Sequence, residues 1–392
     1  QFFVSELASH GITAVAFSEG VSLEELTRLV VLLSAREAGR TIPFEEAVRT
    51  LREAGVAHIT LEANPPEDEE AGPYARLVKV YFLGIRMLRE IIDQQKREGG
   101  FSIGLARRWI QAMIRHLEED ESFCLGLTTM KNAEGYHANH GVNVAVLATA
   151  LGRRLNLPRR DLMDLGVSAL LHDFGTLEVS PAILEKPAVL TGEERAALNK
   201  QSRQGAQTLI PLQTGRVLPV KALEVAMEHR QSMDPARREA GRAGRTIHLF
   251  SRIVRIADVY DAMTTKRVYR PQAFAPAEAL KMMSGEKGRD FDPLLLKAFA
   301  AMLGPYPVGS LVVLDGGEIG LVMAIPSHPA LSARPEIKLI TDADGLKIDG
   351  PVIHLAEAAA AKQGRAIVLG LNAEAYGVRP IEYFLARARH DE

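Results

Sequence analysis

The sequence predicts a mainly α protein: an all-helical bundle domain, with a small N-terminal α/β unit before it and a small β-rich C-terminal appendix after it. Three observations lead there. From residue 73 to about 304, apolar residues recur at helical spacing with few interruptions. Residues 1–63 instead alternate between strand-like and helix-like pieces. After Pro305-Tyr306-Pro307, short β-type runs separated by Gly, Pro and Asp replace the helical pattern. Four segments follow: the α/β unit at 1–63, a linker and connecting helices at 64–120, the helical domain at 121–304, and the appendix at 305–392.

Residues 11–17 (GITAVAF) read as a strand. Ser22-Leu23-Glu24-Glu25 is a capping box, in which Ser and the Glu three residues on each satisfy an open amide. It starts a helix that runs through Leu33. A second helix covers about 44–54, and 58–61 reads as a strand. The acidic, proline-containing stretch 64–72 reads as a solvated hinge. Residues 74–94 place Leu77, Val80, Tyr81, Ile85, Leu88, Ile91 and Ile92 on one helical face. The next helix, 105–117, carries Trp109 on its apolar face, the position of a core residue. Further helices fit 139–155, 159–171, 192–210, 220–229, 247–263, 276–284 and 293–303. In the appendix, 310–314, 320–324, 337–340 and 366–369 read as strands, and 355–362 and 380–389 as short helices.

With 392 residues, 47% of them hydrophobic, the chain is long enough for two or three globular domains. A formal charge of -2 argues against a dedicated nucleic-acid binder. The single cysteine, Cys124, excludes a disulfide framework and a Cys-rich zinc site. Any metal ligands must therefore be His, Asp or Glu. No run of apolar residues is long enough to span a membrane, and no signal peptide is visible, so a cytoplasmic setting is expected. The chain begins at Gln1 within a helix-like stretch, which predicts a further N-terminal piece.

The chemistry-bearing residues lie in the helical segment. His172-Asp173 closes the apolar run Leu170-Leu171 and leads into Phe174-Gly175. A buried polar pair is costly unless hydrogen-bonded or metal-bound. Adjacent helical residues point about 100° apart, so both reach one ion only at a helix end or bend, which Gly175 supplies. His140, on an otherwise apolar helix, His229, at the end of another, and Asp258, in Ile256-Ala257-Asp258-Val259-Tyr260-Asp261-Ala262, come from separate helices. One imidazole or carboxylate from each of several helices is how a bundle builds a metal site in its core. Such a set suits iron, manganese or zinc.

On these residues the chain resembles the HD-GYP group of the HD superfamily of metal-dependent phosphohydrolases. The matching stretches are His140-Gly141-Val142-Asn143-Val144, His172-Asp173-Phe174-Gly175, Pro181-Ala182-Ile183-Leu184-Glu185-Lys186-Pro187, Ala257-Asp258-Val259-Tyr260-Asp261-Ala262-Met263-Thr264, Arg267-Val268-Tyr269-Arg270-Pro271 and Phe291-Asp292-Pro293. The resemblance implies a helical fold, an iron- or manganese-type centre and hydrolysis of the bacterial messenger cyclic di-GMP. It also implies a substrate-side role for Arg267 and Arg270, whose guanidinium forks suit phosphate.

The departures from the family pattern are concentrated. The HDxGK lysine is Thr176, the next metal His aligns with Gln201, and the HHE triplet reads His229-Arg230-Gln231. Counted without a gap, the signature GYP falls on Arg237-Arg238-Glu239. The basic set His140, His172, Asp173 and Asp258 is intact, with His229 as a further candidate ligand. The ligands of a second metal are the ones hit, since an amide is a weak ligand and Arg has no acceptor atom. One metal is therefore expected, with Arg230 placing positive charge where a second ion would lie. Loss of the lysine removes charge that would stabilise phosphoryl oxygens.

Two readings stay open. One is a divergent signalling protein that binds metal and a nucleotide or protein partner, with hydrolysis weak or absent. The other is an active metal-dependent phosphodiesterase acting on cyclic di-GMP or another phosphoester, with Asp173 as metal ligand and proton acceptor. A homodimer through the helices of 73–117 is expected only by analogy with other signalling proteins.

Overall fold

The computed structural model describes residues 12–18, 20–34, 36–37, 40–63, 72–98, 103–130, 136–175, 220–238, 244–266, 272–326, 328–357 and 365–390, plus 7, 10, 179, 183, 186, 191–194, 196–197, 200 and 207. The chain divides into two compact units, Gln1–Ala71 and Gly72–Glu392.

In the first unit the elements run β1 (Ile12–Phe17), α1 (Leu23–Ser34), β2 (Arg36–Glu37), β3 (Arg40–Thr41), α2 (Phe44–Glu53) and β4 (Ile59–Ala63). β1 and β4 pair antiparallel, with Phe17 opposite Ile59. Leu29, Leu32 and Leu33 of α1 and Ala47 and Leu51 of α2 bury against Ile12, Ile59 and Leu61. The capping box forms: Glu25 N–H donates to Ser22 Oγ (3.2 Å) and Ser22 N–H to Glu25 Oε2 (2.9 Å). Glu25 Oε1 also accepts from the amides of Ala57 (2.8 Å) and His58 (3.0 Å), which ties the entry of β4 to the start of α1. The β2–β3 hairpin was not anticipated, since two-residue strands show no alternation.

The second unit is built on α3 (Pro73–Glu98), α4 (Ile103–Glu119), α5 (Glu121–Leu127), α6 (Tyr136–Arg154), α7 (Arg159–Leu170), α8 (Val220–Glu228), α9 (Leu249–Met263), α10 (Pro276–Ser284) and α11 (Pro293–Leu303). α6 is the central helix, buried at every residue from 138 to 152, as an apolar helix without a polar stripe must be. α3, α7 and α9 pack around it. Trp109 is the core residue expected: its ring is buried, and its indole N–H donates to Val80 O at 2.8 Å. The approach of α4 to α3 depends on Gly84, where an added Cβ would stand 2.3 Å from the Trp109 ring.

α5 escaped the sequence reading because seven residues carry too little periodicity to register. It is capped by Asp120, which accepts from Phe123 N–H at 2.9 Å, and it buries Phe123, Cys124, Leu125 and Leu127. The hinge at 64–71 lies outside the described residues, as does most of the helix expected at 192–210, whose described residues 192–194, 196, 197, 200 and 207 are helical.

The appendix forms an antiparallel sheet of β5 (Leu311–Leu314), β6 (Ile319–Ala324), β7 (Glu336–Leu339), β8 (Val352–His354) and β9 (Ile367–Leu371), in the order β8-β7-β6-β5-β9. Strand alternation splits its faces. Leu311, Leu321 and Met323 join the helical core, while Val312, Leu314, Val322, Ile337 and Leu339 close a smaller core with Leu355. The last helix, α12 (Pro380–His390), docks back onto the bundle. Its Phe384 meets Phe123 edge-on at 5.7 Å, Tyr74 stacks on Phe123 at 4.4 Å, and the Arg387 guanidinium lies 4.6 Å over the Tyr74 ring.

The expectation of a helix at 355–362 needs correcting. Leu355 and Ala356 form a turn and Glu357 a bend, following the unanticipated β8, and 358–364 are outside the described residues. No described helix is long and apolar enough to cross a membrane.

Candidate functional site

Four segments of the second unit converge on one point, and each delivers its side chain for a local reason. His140 projects from the first half of α6. α7 ends at Leu170, so His172 and Asp173 sit in the turn that follows it, ahead of the 3-10 step at Phe174 and Gly175. That turn lets two adjacent residues face the same space. His229 sits just past the end of α8. Asp258 and Asp261 lie three residues apart on α9, hence on one face.

The imidazoles stand in a row, with ring centroids 5.4 Å apart for His140 and His172 and 5.0 Å for His172 and His229. His172 Nδ1 donates to Ala169 O (2.7 Å) and His229 Nδ1 to Val225 O (2.9 Å). Both rings are thereby fixed with the Nε2 lone pair turned into the site. His172 Nε2 is buried, has no hydrogen-bond partner, and lies 3.9 Å from Asp258 Oδ1. His140 is gripped at both nitrogens, Nδ1 by Asp261 Oδ2 (2.7 Å) and Nε2 by Asp258 Oδ1 (3.1 Å). Donor atoms of His140, His172 and Asp173 fall within 4.8 Å of one another, as do those of His172, His229 and Asp258.

This donor set fits a divalent cation. Imidazole and carboxylate suit iron, manganese and zinc. An unpartnered buried nitrogen costs free energy that a metal bond would recover, and His172 Nε2 is such an atom. The electrostatics agree at His172 and His229. Burial, with His172 and Arg230 alongside, drives His229 down to about 3. Burial also lowers His172 despite its neighbouring aspartates. Both shifts favour the neutral imidazole, the form that ligates a metal. Burial alone would raise Asp173, but the Arg230 guanidinium and then His172 outweigh it and hold the carboxyl well below the usual range. Asp258 is likewise held down, its burial overcome by the hydrogen bond from His140. His140 runs the other way: its burial is outweighed by Asp258 and Asp261, which raise it to about 9.

Arg230 adds a fixed cation to this centre. Its Nη2 donates to Asp173 Oδ1 at 2.7 Å, and its Nε points to His229 Nε2 at 3.3 Å. Arg255 holds the segment in place by donating to the carbonyls of Arg230 (2.8 Å) and Asp290 (3.1 Å). The Phe291-Asp292-Pro293 stretch is structural: Asp292 caps α11 by accepting from the Leu294 and Leu295 amides, and it pairs with Arg252 at 2.7 Å.

The structure brings together His140, His172, Asp173, His229, Arg230 and Asp258. Thr176, Gln201, Arg267 and Arg270 lie outside the described residues, as does Glu239. The basic stretch is absorbed locally where it is described: Arg238 donates to the carbonyls of Ser232, Met233 and Arg245, and Arg237 pairs with Asp290 at 3.3 Å. Two site residues went unread in the sequence, Asp261 and Asn143. Their signal was present as spacing: Asn143 follows His140 by three residues, and Asp261 follows Asp258 by three.

Comparison with known proteins gives the following matches. Residues 110–295 match the family model described as HD domain. The chain is 30% identical over 305 residues to cyclic di-GMP phosphodiesterase PA4108 of Pseudomonas aeruginosa, covering 76% of this chain and 71% of that protein. It is 31% identical over 233 residues to 3'3'-cGAMP-specific phosphodiesterase 3 of Vibrio cholerae, covering 56% of this chain and 49% of that protein. Among solved structures, the HDG"Y"P protein Bd1817 of Bdellovibrio bacteriovorus aligns over 69% of this chain and 92% of its own, with a TM-score of 0.47 and 14% identity.

Proposed function

This chain belongs to the HD-GYP family of HD-domain proteins, and from that premise we propose a divergent, metal-binding bacterial signalling protein in which phosphodiester hydrolysis is weak or absent. The observation that carries the reading is the 2.7 Å contact between Arg230 Nη2 and Asp173 Oδ1. A carboxylate that could bridge two ions is bound by a guanidinium instead. Arg230 neutralises charge there, but it cannot accept a metal or lower the pKa of a bound water as an ion pair does.

His140, His172, Asp173 and Asp258 would hold one divalent ion, iron or manganese first and zinc next, with His229 at the edge of the set. Such an ion supplies Lewis acidity and a more acidic bound water. The residues of the chain do the rest. The Ala169 and Val225 carbonyls fix two imidazoles in the ligating tautomer. Asp173, kept ionised by Arg230, would be only a weak acceptor for a proton from an attacking water, in keeping with weak or absent hydrolysis. Arg267 and Arg270 would take the phosphate groups of a cyclic dinucleotide, the substrate class named for the relatives.

The retained donor set is the observation favouring the second reading, an active phosphodiesterase on cyclic di-GMP or another phosphoester. One experiment separates the two: measure metal per chain in the purified protein and assay cyclic di-GMP with added manganese or ferrous iron. About one metal per chain with no turnover supports the divergent module. Linear dinucleotide or GMP that disappears in Asp173→Ala overturns it.

A further inference from the structure

We infer that Asp261, steadied by Asn143 and Tyr81, is a positioning residue for the metal centre, fixing which nitrogen of His140 faces Asp258. The inference rests on the metal reading above and adds a component to it.

The argument starts from a difference among the three imidazoles. His172 and His229 follow helix ends, where a ring can reach back to a carbonyl of the preceding turn. His140 lies inside α6, and both of its ring nitrogens meet carboxylates of α9. Its Nδ1 meets Asp261 Oδ2 at 2.7 Å. A carboxylate accepts only, so Nδ1 donates to Asp261, and Nε2 is the nitrogen left to face Asp258, where a metal ion would displace its proton. Nε2 then stands 3.1 Å from Asp258 Oδ1. Without a metal a proton joins these two atoms; a divalent ion in its place would be held by both, in the orientation that Asp261 imposes. A carboxylate behind a ligating imidazole also strengthens the ligand.

Asp261 is in turn over-determined. Its side chain is 1% exposed, and its other oxygen accepts from Asn143 Nδ2 at 3.0 Å. Asn143 Nδ2 also donates to Thr128 O, and Asn143 Oδ1 accepts from Tyr81 O–H. Asn139 Nδ2 donates to the Tyr81 oxygen at 3.3 Å. Tyr81 and Asn143 are fully buried. Buried polar chains of this kind hold when every member is satisfied, and they fail when one link is neutralised. A pillar that merely joined α3, α6 and α9 would not need a carboxylate aimed at a ligating imidazole.

The test uses zinc, which is diamagnetic and acceptable to this donor set. In the zinc-loaded wild type, long-range proton–nitrogen correlation of the His140 ring, assigned by its loss in His140→Gln, should show Nδ1 protonated and Nε2 metal-bound. The reverse pattern overturns the proposal without any need for a variant. Asp261→Asn should weaken zinc binding by about 10–100-fold in a chelator competition, and Tyr81→Phe, which keeps the ring in the core, by less. Equal affinity in Asp261→Asn overturns this proposal alone. A wild type that binds no zinc, manganese or ferrous iron overturns the metal reading and this proposal with it.

Discussion

Arg230 and Asp173 form a 2.7 Å ion pair at the mouth of the histidine row, with Arg230 Nε also directed at His229 Nε2. A cation is thus built covalently beside the Asp173 carboxylate and the His229 imidazole. Arg stays protonated in proteins and has no lone pair to give. Replacing Arg230 and Gln201 together by His should raise metal content from about one ion per chain toward two, read by elemental analysis of dialysed protein. An unchanged ratio would count against the second-site argument.

The unpartnered Nε2 of His172 would make a bound metal a folding ligand as well. A ligand that binds only the native state at 100 times its Kd adds about 2.7 kcal/mol. Manganese should therefore raise the Tm of the wild type, and EDTA should reverse the rise. His172→Asn keeps a donor near Ala169 O but loses Nε2. It should fold and show no manganese-dependent shift; a shift of wild-type size would place the ion elsewhere.

Why this site was largely legible in the sequence, and where legibility stopped, follows from its construction. His140, His172, Asp173 and Asp258 interrupt apolar helical runs, so each stands out as a polar group that needs a partner. Asp261 and Asn143 interrupt the same runs, but their partners are side chains on other helices, and nothing in the linear order pairs α6 with α9 or with Tyr81 of α3. Helices of nine residues or more were readable because two turns suffice to show a buried face. α10 and α11 match their expected bounds. α5 and β8 were too short to carry any period, and the expected helix after β8 was an apolar alanine-rich stretch whose described start is a turn.

Gly84 offers a test of the helical packing that leaves the metal residues alone. Its missing Cβ is the space that the Trp109 indole fills, and Trp109 is also tied to Val80 O. Neither backbone nor ring can move without breaking that bond or opening the α3–α4 interface. Gly84→Ala should destabilise the second unit by about 1–3 kcal/mol in denaturant unfolding, with metal per chain unchanged at low temperature. A neutral result would mean that α3 and α4 separate easily at this crossing.

The last prediction concerns pH and the first unit. Glu25 is lowered to about 2, first by the Ser22 amide, then by the His58 amide, with Ala57 and the His58 ring adding to the effect against a smaller opposing contribution from desolvation. A carboxyl depressed in the folded state stabilises it above the unfolded pKa, and that contribution is lost as pH falls toward the folded value. The capping box and the tie to β4 should therefore loosen between about pH 4.5 and pH 2, the interval between the ordinary Glu value and the depressed one. Amide exchange at Ala57 and His58 should rise over that interval faster than at Leu29, which is held by the core rather than by the carboxylate. Glu25→Gln should show elevated exchange already at neutral pH and a flatter dependence below it. Equal acid dependence in the two proteins would mean that another carboxylate governs the unit.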